Sequence, residues 1–527
     1  MSPGAGARAP LLLVLAAGIV VAALLLPLAY LVVRVADGGG AALEILWERS
    51  TWSLVRNTVA LVFGVVTAAV LVGVPLAWLV TRTDLPGARL WAVAGALPLV
   101  IPSYVAAFCL LGFFGERGLL ADALGVERLP DVTGYWGALI ALTLSTYPYV
   151  FMLAQAALRD LDPSLEEAAR GLGVSRASTF RRITLPALRP AVGLGALLVA
   201  LYTLSDFGVV SLMRYDALTR AIYVQYRSLF DRTPAATLAL LLVGLTAVAL
   251  TIEYRTRRRG RLYRTSPGVA RRPPPIRLGR WKAPALAFCS VVVGLFLILP
   301  AGVLGYWLAR GIVNERALEA PWSATLHSLT ASALAGLAAV LAALPVAVLA
   351  LRYPSRSSRL LERLSYAGNA LPGLVIALAL VFFAARYATP VYQTLALLVF
   401  AYVVRFFAQA LSGTESALER VSPRYEEAAR ALGRGPLRTL ALVTAPLARS
   451  GLVAGGALVF LSAMKELPAT LLLRPIGFET LATEIWKLTQ VAAYSRAALP
   501  ALMLVAVSAP VLFLVSPGRR VESAGGG

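Results

Sequence analysis

The sequence predicts an all-α polytopic membrane protein with about twelve transmembrane helices in two parallel six-helix repeats. Three observations carry that prediction: apolar runs of bilayer length, arginines gathered in alternate loops, and one polar loop written twice. Of the 527 residues 59% are apolar and only 14% charged. A soluble domain needs about 25% charged residues to clothe its surface, so lipid is the solvent this composition expects.

Taken in order, the apolar runs place spans at 11–33, 57–81, 91–114, 134–158, 191–213, 235–253, 284–308, 325–350, 366–385, 391–412, 451–473 and 498–516. Each approaches the ~20 apolar residues a helix needs to cross ~30 Å of hydrocarbon. The first follows Arg8 and could be taken for a secretory signal, but its core exceeds the ~7–15 residues typical of one. It reads as a retained span. Cys109 and Cys289 both fall inside apolar runs, without metal-ligand spacing, and read as small packing residues.

The net charge of +22 resembles a nucleic-acid signal until its distribution is followed. The loop from Tyr254 to Lys282 holds ten arginines and no acid. The loops after the fourth and tenth spans carry Arg159, Arg170, Arg176, Arg181, Arg182 and Arg189, then Arg420, Arg424, Arg430, Arg434, Arg438 and Arg449. Intervening loops are neutral or acidic. By the positive-inside rule the arginine-rich loops and both termini face the cytoplasm, and the charge is topogenic; no nucleic-acid partner is expected.

The chain is also duplicated. Glu166–Ala191 reads EEAARGLGVSRASTFRRITLPALRPA, and Glu426–Gly451 reads EEAARALGRGPLRTLALVTAPLARSG, 260 residues later. An even number of spans separates the copies, so both loops return to one side and the halves are parallel repeats. The expected organisation is a first half over 1–255 with its loop at 159–190, and a basic linker over 256–283. A second half over 284–518 follows, with its loop at 413–450, then a cytoplasmic tail over 519–527. Each loop begins as a short amphipathic helix. In the first, Leu165, Ala168, Ala169 and Leu172 are expected to share a face, with Glu166, Glu167 and Arg170 towards solvent or the other flank. Gly173 suits a C-terminal cap, and a second basic stretch then runs to Pro186, giving a helix–Gly–helix elbow.

These residues resemble the permeases of ABC importers, whose loop pattern is E-A-A, three residues, G, nine residues, I-x-L-P. Glu167, Ala168, Ala169, Gly173, Ile183, Leu185 and Pro186 fit that pattern throughout. Glu427, Ala428, Ala429, Gly433 and Pro446 fit it too, while Val443 and Ala445 replace the usual Ile and Leu, a departure expected to loosen docking there. The resemblance implies the type I ABC importer permease fold in the cell inner membrane. It also implies that each loop inserts its short helix into a nucleotide-binding subunit and receives the stroke of its closure. The implied partners are two copies of an ABC ATPase subunit, which hold the ATP and Mg, and a separate substrate-binding protein. No cofactor is expected on this chain. Its only lysines, Lys282, Lys465 and Lys487, follow Trp281, Met464 and Trp486, so no G-K-[ST] phosphate loop can be written and no ATPase is expected in it. No catalytic or metal-binding residues are assigned.

Charges within spans are costly, at ~2.5–3.5 kcal/mol on insertion scales, and so invite a functional reading. Ser205 and Asp206 lie in the fifth span, Lys465 and Glu466 at the matching place in the eleventh. They are candidates for the substrate path, with a structural ion pair as the alternative, and are expected to face each other across a pseudo-twofold axis. The stretch from Lys465 through Thr483 is similar to that of fused ferric-iron permeases, with thiamine and 2-aminoethylphosphonate permeases close behind. The sole histidine, His327, matches Asn57 of the first half and reads as a helix-end hydrogen-bonding group. A proton-coupled secondary transporter also suits six-plus-six repeats but gives no reason for two such loops. A membrane scaffold or receptor would leave the duplication unexplained.

Overall fold

The computed structural model describes residues 9–116, 118–228, 233–257, 275–313 and 320–515. Ten helices among them are long and apolar enough to cross a membrane, or eleven if the bent pair Arg356–Gly368 and Gly373–Tyr387 is one span. The last expected span falls in the helix Tyr494–Val515, whose side chains beyond Pro510 lie outside the described ones. The tail over 519–527 and most of the basic linker also lie outside the described residues.

Several expected spans are broken, for identifiable reasons. The third divides at Pro98 and Pro102 into Ala88–Ala96 and Ser103–Phe114. The ninth bends by 98° at Leu371–Pro372, between Arg356–Gly368 and Gly373–Tyr387. Proline removes a backbone donor and its ring clashes with the preceding turn, so each run stops and restarts. The fifth and eleventh runs end earlier than expected, at Ser205 and Met464, where an acidic residue begins a new short helix.

The chain folds as two compact units, and their limits differ from the expected domain boundaries. One comprises Leu43–Ala317 with Ala492–Ala498; the other comprises Met1–Ala42, Leu318–Val491 and Leu499–Gly527. The first helix of each half therefore belongs with the other half. Leu11–Asp37 buries the single stripe Leu13, Ala17, Val21, Leu24 and Leu31. It packs on Trp322–Arg352 and Gly373–Tyr387, with Tyr30 edge-on to Phe383 and Tyr387. The seventh run packs in the first-half unit, Phe296 against Tyr147 at 5.0 Å. Its approach is fixed by a strap before it. Ile276 bridges Thr83, Leu278 N–H donates to Asp84 at 2.8 Å, and Lys282 pairs with Asp84 at 3.2 Å. Periodicity reveals that such a helix has one stripe to bury, but the stripe does not name its partner.

Lipid offers apolar surfaces no reason to cluster, so close backbone approach has to supply packing. In the first-half unit Arg49–Arg82 lies on Gly134–Asp160 with Gly73 at the crossing, where a Cβ would stand 2.9 Å from the Phe151 nitrogen. In the second-half unit Leu395–Glu419 meets Ala445–Met464 at Gly413, whose Cβ would stand 2.7 Å from the Gly455 Cα.

Candidate functional site: two elbows

Each elbow is built from its caps inward. In the first, Pro163 opens the helix Pro163–Gly171, and Asp162 accepts from the Ser164 N–H at 3.0 Å, satisfying one of the orphan donors at the helix start. The helix stops at Gly173, φ +82, whose N–H donates to the Arg170 carbonyl while Val174 N–H returns to Ala169. The second elbow, Pro423–Ala431, repeats this at Gly433, φ +79, with bonds to Arg430 and from Arg434 to Ala429. After each glycine a short helical turn and a wider one, Phe180–Thr184 or Leu440–Thr444, lead into the spans Leu185–Ser205 and Ala445–Met464.

The exposed face takes in part of the expected shared face, with Glu167 added to it. Glu167 and Ala168 are exposed, as are Glu427 and Ala428, while Ala169 is half-buried and Ala429 buried. Leu172 and Leu432, just before the two glycines, are 85% and 82% exposed. Glu166 and Glu426 turn the other way and are buried. Of the two placements expected for Glu166, solvent or the other flank, it takes the flank turned away from Leu172 and parts from Glu167; the side chain of Leu165 lies outside the described ones. The cause is polar: Glu166 accepts from Arg82 at 2.5 Å and from the Thr184 hydroxyl at 2.7 Å. Glu426 likewise accepts from Arg352 at 3.0 Å and from Thr444 at 3.1 Å. A carboxylate so placed has its lone pairs satisfied by a cation and a hydroxyl, which offsets the cost of burying it.

Sequence reasoning missed Arg82, Thr184, Arg352 and Thr444. A signal was present, since Thr184 and Thr444 match in the two repeats and an arginine closes the helix Arg49–Arg82 as another closes Trp322–Arg352.

The span-embedded candidates form a separate pair of sites. Asp206 accepts from the Ser103 hydroxyl at 2.6 Å and from Val209 N–H at 2.8 Å, capping the helix Gly208–Leu212. Ser205 donates to the Tyr202 carbonyl at 3.0 Å. Glu466 pairs with Arg405 at 3.0 Å and accepts from Ala469 N–H at 3.2 Å, capping Pro468–Leu473. Gly373 leaves room for that pair: a Cβ there would stand 2.4 Å from the Glu466 carboxylate. Lys465 is the last residue before this break. Both acids therefore begin helices, and the ion pair is with Arg405 rather than Lys465.

His327 behaves as its position suggests. Its Nδ1–H donates to the Glu479 carbonyl at 2.9 Å and its ring stacks on Phe478, while the matching Asn57 donates to the Asp216 carbonyl at 3.1 Å. Next to them, Ser328 and Thr58 accept the N–H groups of Leu481 and Leu218, the first residues of two short helices. Among the described residues no three histidine, cysteine or acidic side chains are placed to hold a metal.

Paired elbows of this construction, each leading into a span of a helical membrane chain, define a permease of the kind that serves a binding protein. The chain belongs to the family described as the binding-protein-dependent transport system inner membrane component, which it matches over residues 73–261 and again over 335–516. It is thus an ABC importer permease, a multi-pass inner-membrane protein. It is 34% identical to the Fe(3+)-transport system permease protein FbpB 2 of Haemophilus influenzae over 93% of this chain and 95% of that one. The sulfate transport system permease protein CysT of Salmonella typhimurium is 28% identical, over 43% of this chain and 84% of its own. A chain of the MetNI methionine ABC transporter, in an inward facing conformation, is 21% identical with a TM-score of 0.33, covering 41% of this chain and 99% of its own; it adds nothing to the assignment.

Proposed function

We propose that this permease translocates ferric iron, delivered by a separate binding protein and driven by two ATPase subunits that engage the elbows from the cytoplasm. The iron reading rests on one observation, the 34% identity to an Fe(3+)-transport permease along 95% of that relative. Relatives named for sulfate and molybdenum match less than half of this chain, at 27–30% identity. Another small solute is the second reading those matches favour.

Docking is supported by the outward flank of each elbow. Glu167, Ala168 and Leu172, with Glu427, Ala428 and Leu432, offer a small apolar surface beside an acid, which suits a groove on a soluble subunit. On this reading the chain itself hydrolyses no ATP, and the arginine-rich loops and both termini lie in the cytoplasm. ATP-driven closure of the partner then biases the spans between inward-open and outward-open states. On this reading the breaks at Ser205–Asp206 and Lys465–Glu466 lie along the substrate path, interrupted helices being where transporters commonly place it.

The test is reconstitution of the permease with its ATPase and binding protein in vesicles and measurement of ATP-dependent uptake of ferric iron and of sulfate. Uptake of ferric iron alone supports the reading; uptake of sulfate alone, or uptake driven by a proton gradient without the ATPase, refutes it. Glu167→Arg with Glu427→Arg should abolish coupled uptake while the chain still inserts. Asp206→Ala and Glu466→Ala should lower uptake with the ATPase still bound; full uptake by both removes them from the path.

A further inference from the structure

An elbow that receives a stroke must pass it on, and the backbone alone is poorly suited to do so. Each elbow helix is joined to its following span through a left-handed glycine, Gly173 or Gly433, with open space around it. A push on the exposed face would be absorbed there by rotation about soft dihedrals. A second connection bypasses the hinge. Glu166 lies on the elbow helix, Thr184 lies beyond the hinge at the foot of Leu185–Ser205, and Arg82 is the last residue of Arg49–Arg82. One carboxylate thereby knots the elbow to two spans. Glu426, Thr444 and Arg352 make the same knot in the other half, although the side chains around them differ, Phe180 being replaced by Leu440.

We propose that Glu166 and Glu426 are positioning residues that carry the displacement of each elbow into the spans, and that the second carries it more stiffly than the first. This rests on the reading that the elbows dock the ATPase. The stiffness difference comes from the arginines. Arg352 also donates to the carbonyls of Leu418 and Val421, at 3.1 and 3.0 Å, and so gathers the end of Leu395–Glu419 into the knot. Arg82 makes its bond to Glu166 through Nη2, and its buried Nη1 has no hydrogen-bond partner among the described residues. Behind the first elbow lies a cavity of about 540 Å³ lined by Trp78, Phe180 and Ile276, against about 110 Å³ behind the second.

The experiment uses the full chain with its ATPase and binding protein in vesicles, and reads ATPase binding, ATP hydrolysis and uptake separately. Glu426→Gln should retain the ATPase and its hydrolysis while uptake per ATP falls about tenfold, the ratio that loss of ~1.4 kcal/mol produces. Glu166→Gln should fall less. Thr444→Val keeps the ion pair and removes only the bond that crosses the hinge; it should assemble normally and be partly uncoupled. The exchange Arg352→Glu with Glu426→Arg should recover part of the lost ratio. Wild-type uptake per ATP in both Glu426→Gln and Thr444→Val overturns the proposal, as does a loss of uptake that only tracks loss of ATPase binding. Failure of the wild-type chain to bind the ATPase would instead sink the docking reading beneath it.

Discussion

The two elbows share a backbone and differ in what lies behind it. Both helices open on a proline, both close on a glycine near φ +80, and both turn a glutamate inward. Yet the second is held by an arginine that bonds one carboxylate and two carbonyls, the first by one that, among the described residues, bonds the carboxylate alone. The departure from the loop pattern at Val443 and Ala445 is expected to loosen docking at the second elbow, a contact distinct from its attachment to the spans. Its inward attachment is the fuller of the two. A duplicated motif fixes what the copies have in common; the residues outside it decide how firmly each is anchored.

The largest expected effect separates the arginines. Arg352→Gln takes the nearer of two cations from a buried carboxylate, leaving it Arg430 at 3.4 Å and the Thr444 hydroxyl, and breaking a buried pair costs up to ~3–5 kcal/mol. Arg82→Gln should cost less, because fewer bonds are lost. Thermal unfolding of the detergent-solubilised protein should rank Arg352→Gln well below Arg82→Gln, and the reverse order would break the comparison. Next come the hinges, where geometry matches. Gly173→Ala and Gly433→Ala each force a side chain into the left-handed region at ~1–2 kcal/mol, and open space at both sites leaves that the whole cost. Equal shifts would confirm that the backbones are equivalent.

A smaller effect should come from filling the first cavity. Val74→Phe, on its wall, should raise stability by ~0.5–1 kcal/mol and draw the first elbow towards the behaviour of the second. The smallest concerns the strap at Asp84. The Leu278 N–H, and after it Lys282, hold its carboxyl below the usual range. A depressed folded value means that the stabilisation is present above the unfolded value of ~3.9 and is lost as pH falls through the folded one. Asp84→Asn should therefore lower stability slightly at neutral pH and flatten the acid limb of a stability–pH profile, the difference from wild type shrinking as pH falls towards 3. A larger change at pH 3 than at pH 7 would contradict the assignment.

Much of this was legible in the sequence because lipid imposes length and charge rules that survive without any contact map. The spans, the duplication and the elbow glycines followed from runs, arginines and repeats. Three features did not. Adjacent glutamates such as Glu166 and Glu167 carry the same charge, and which turns inward depends on Arg82, 84 residues away. The stripe on Leu11–Asp37 announces a partner but not the half that supplies it. The break at Asp206 has no proline beside it; its signal is an acid three residues before the Val209 N–H it caps, a spacing that also occurs by chance in any polar segment.

Hydrogen exchange of the wild-type complex bears most directly on unequal tethering. The amides of Pro423–Ala431 should exchange more slowly than those of Pro163–Gly171, and Glu426→Gln should erase the difference. Equal rates in the wild-type chain, or a slower first elbow, would contradict it.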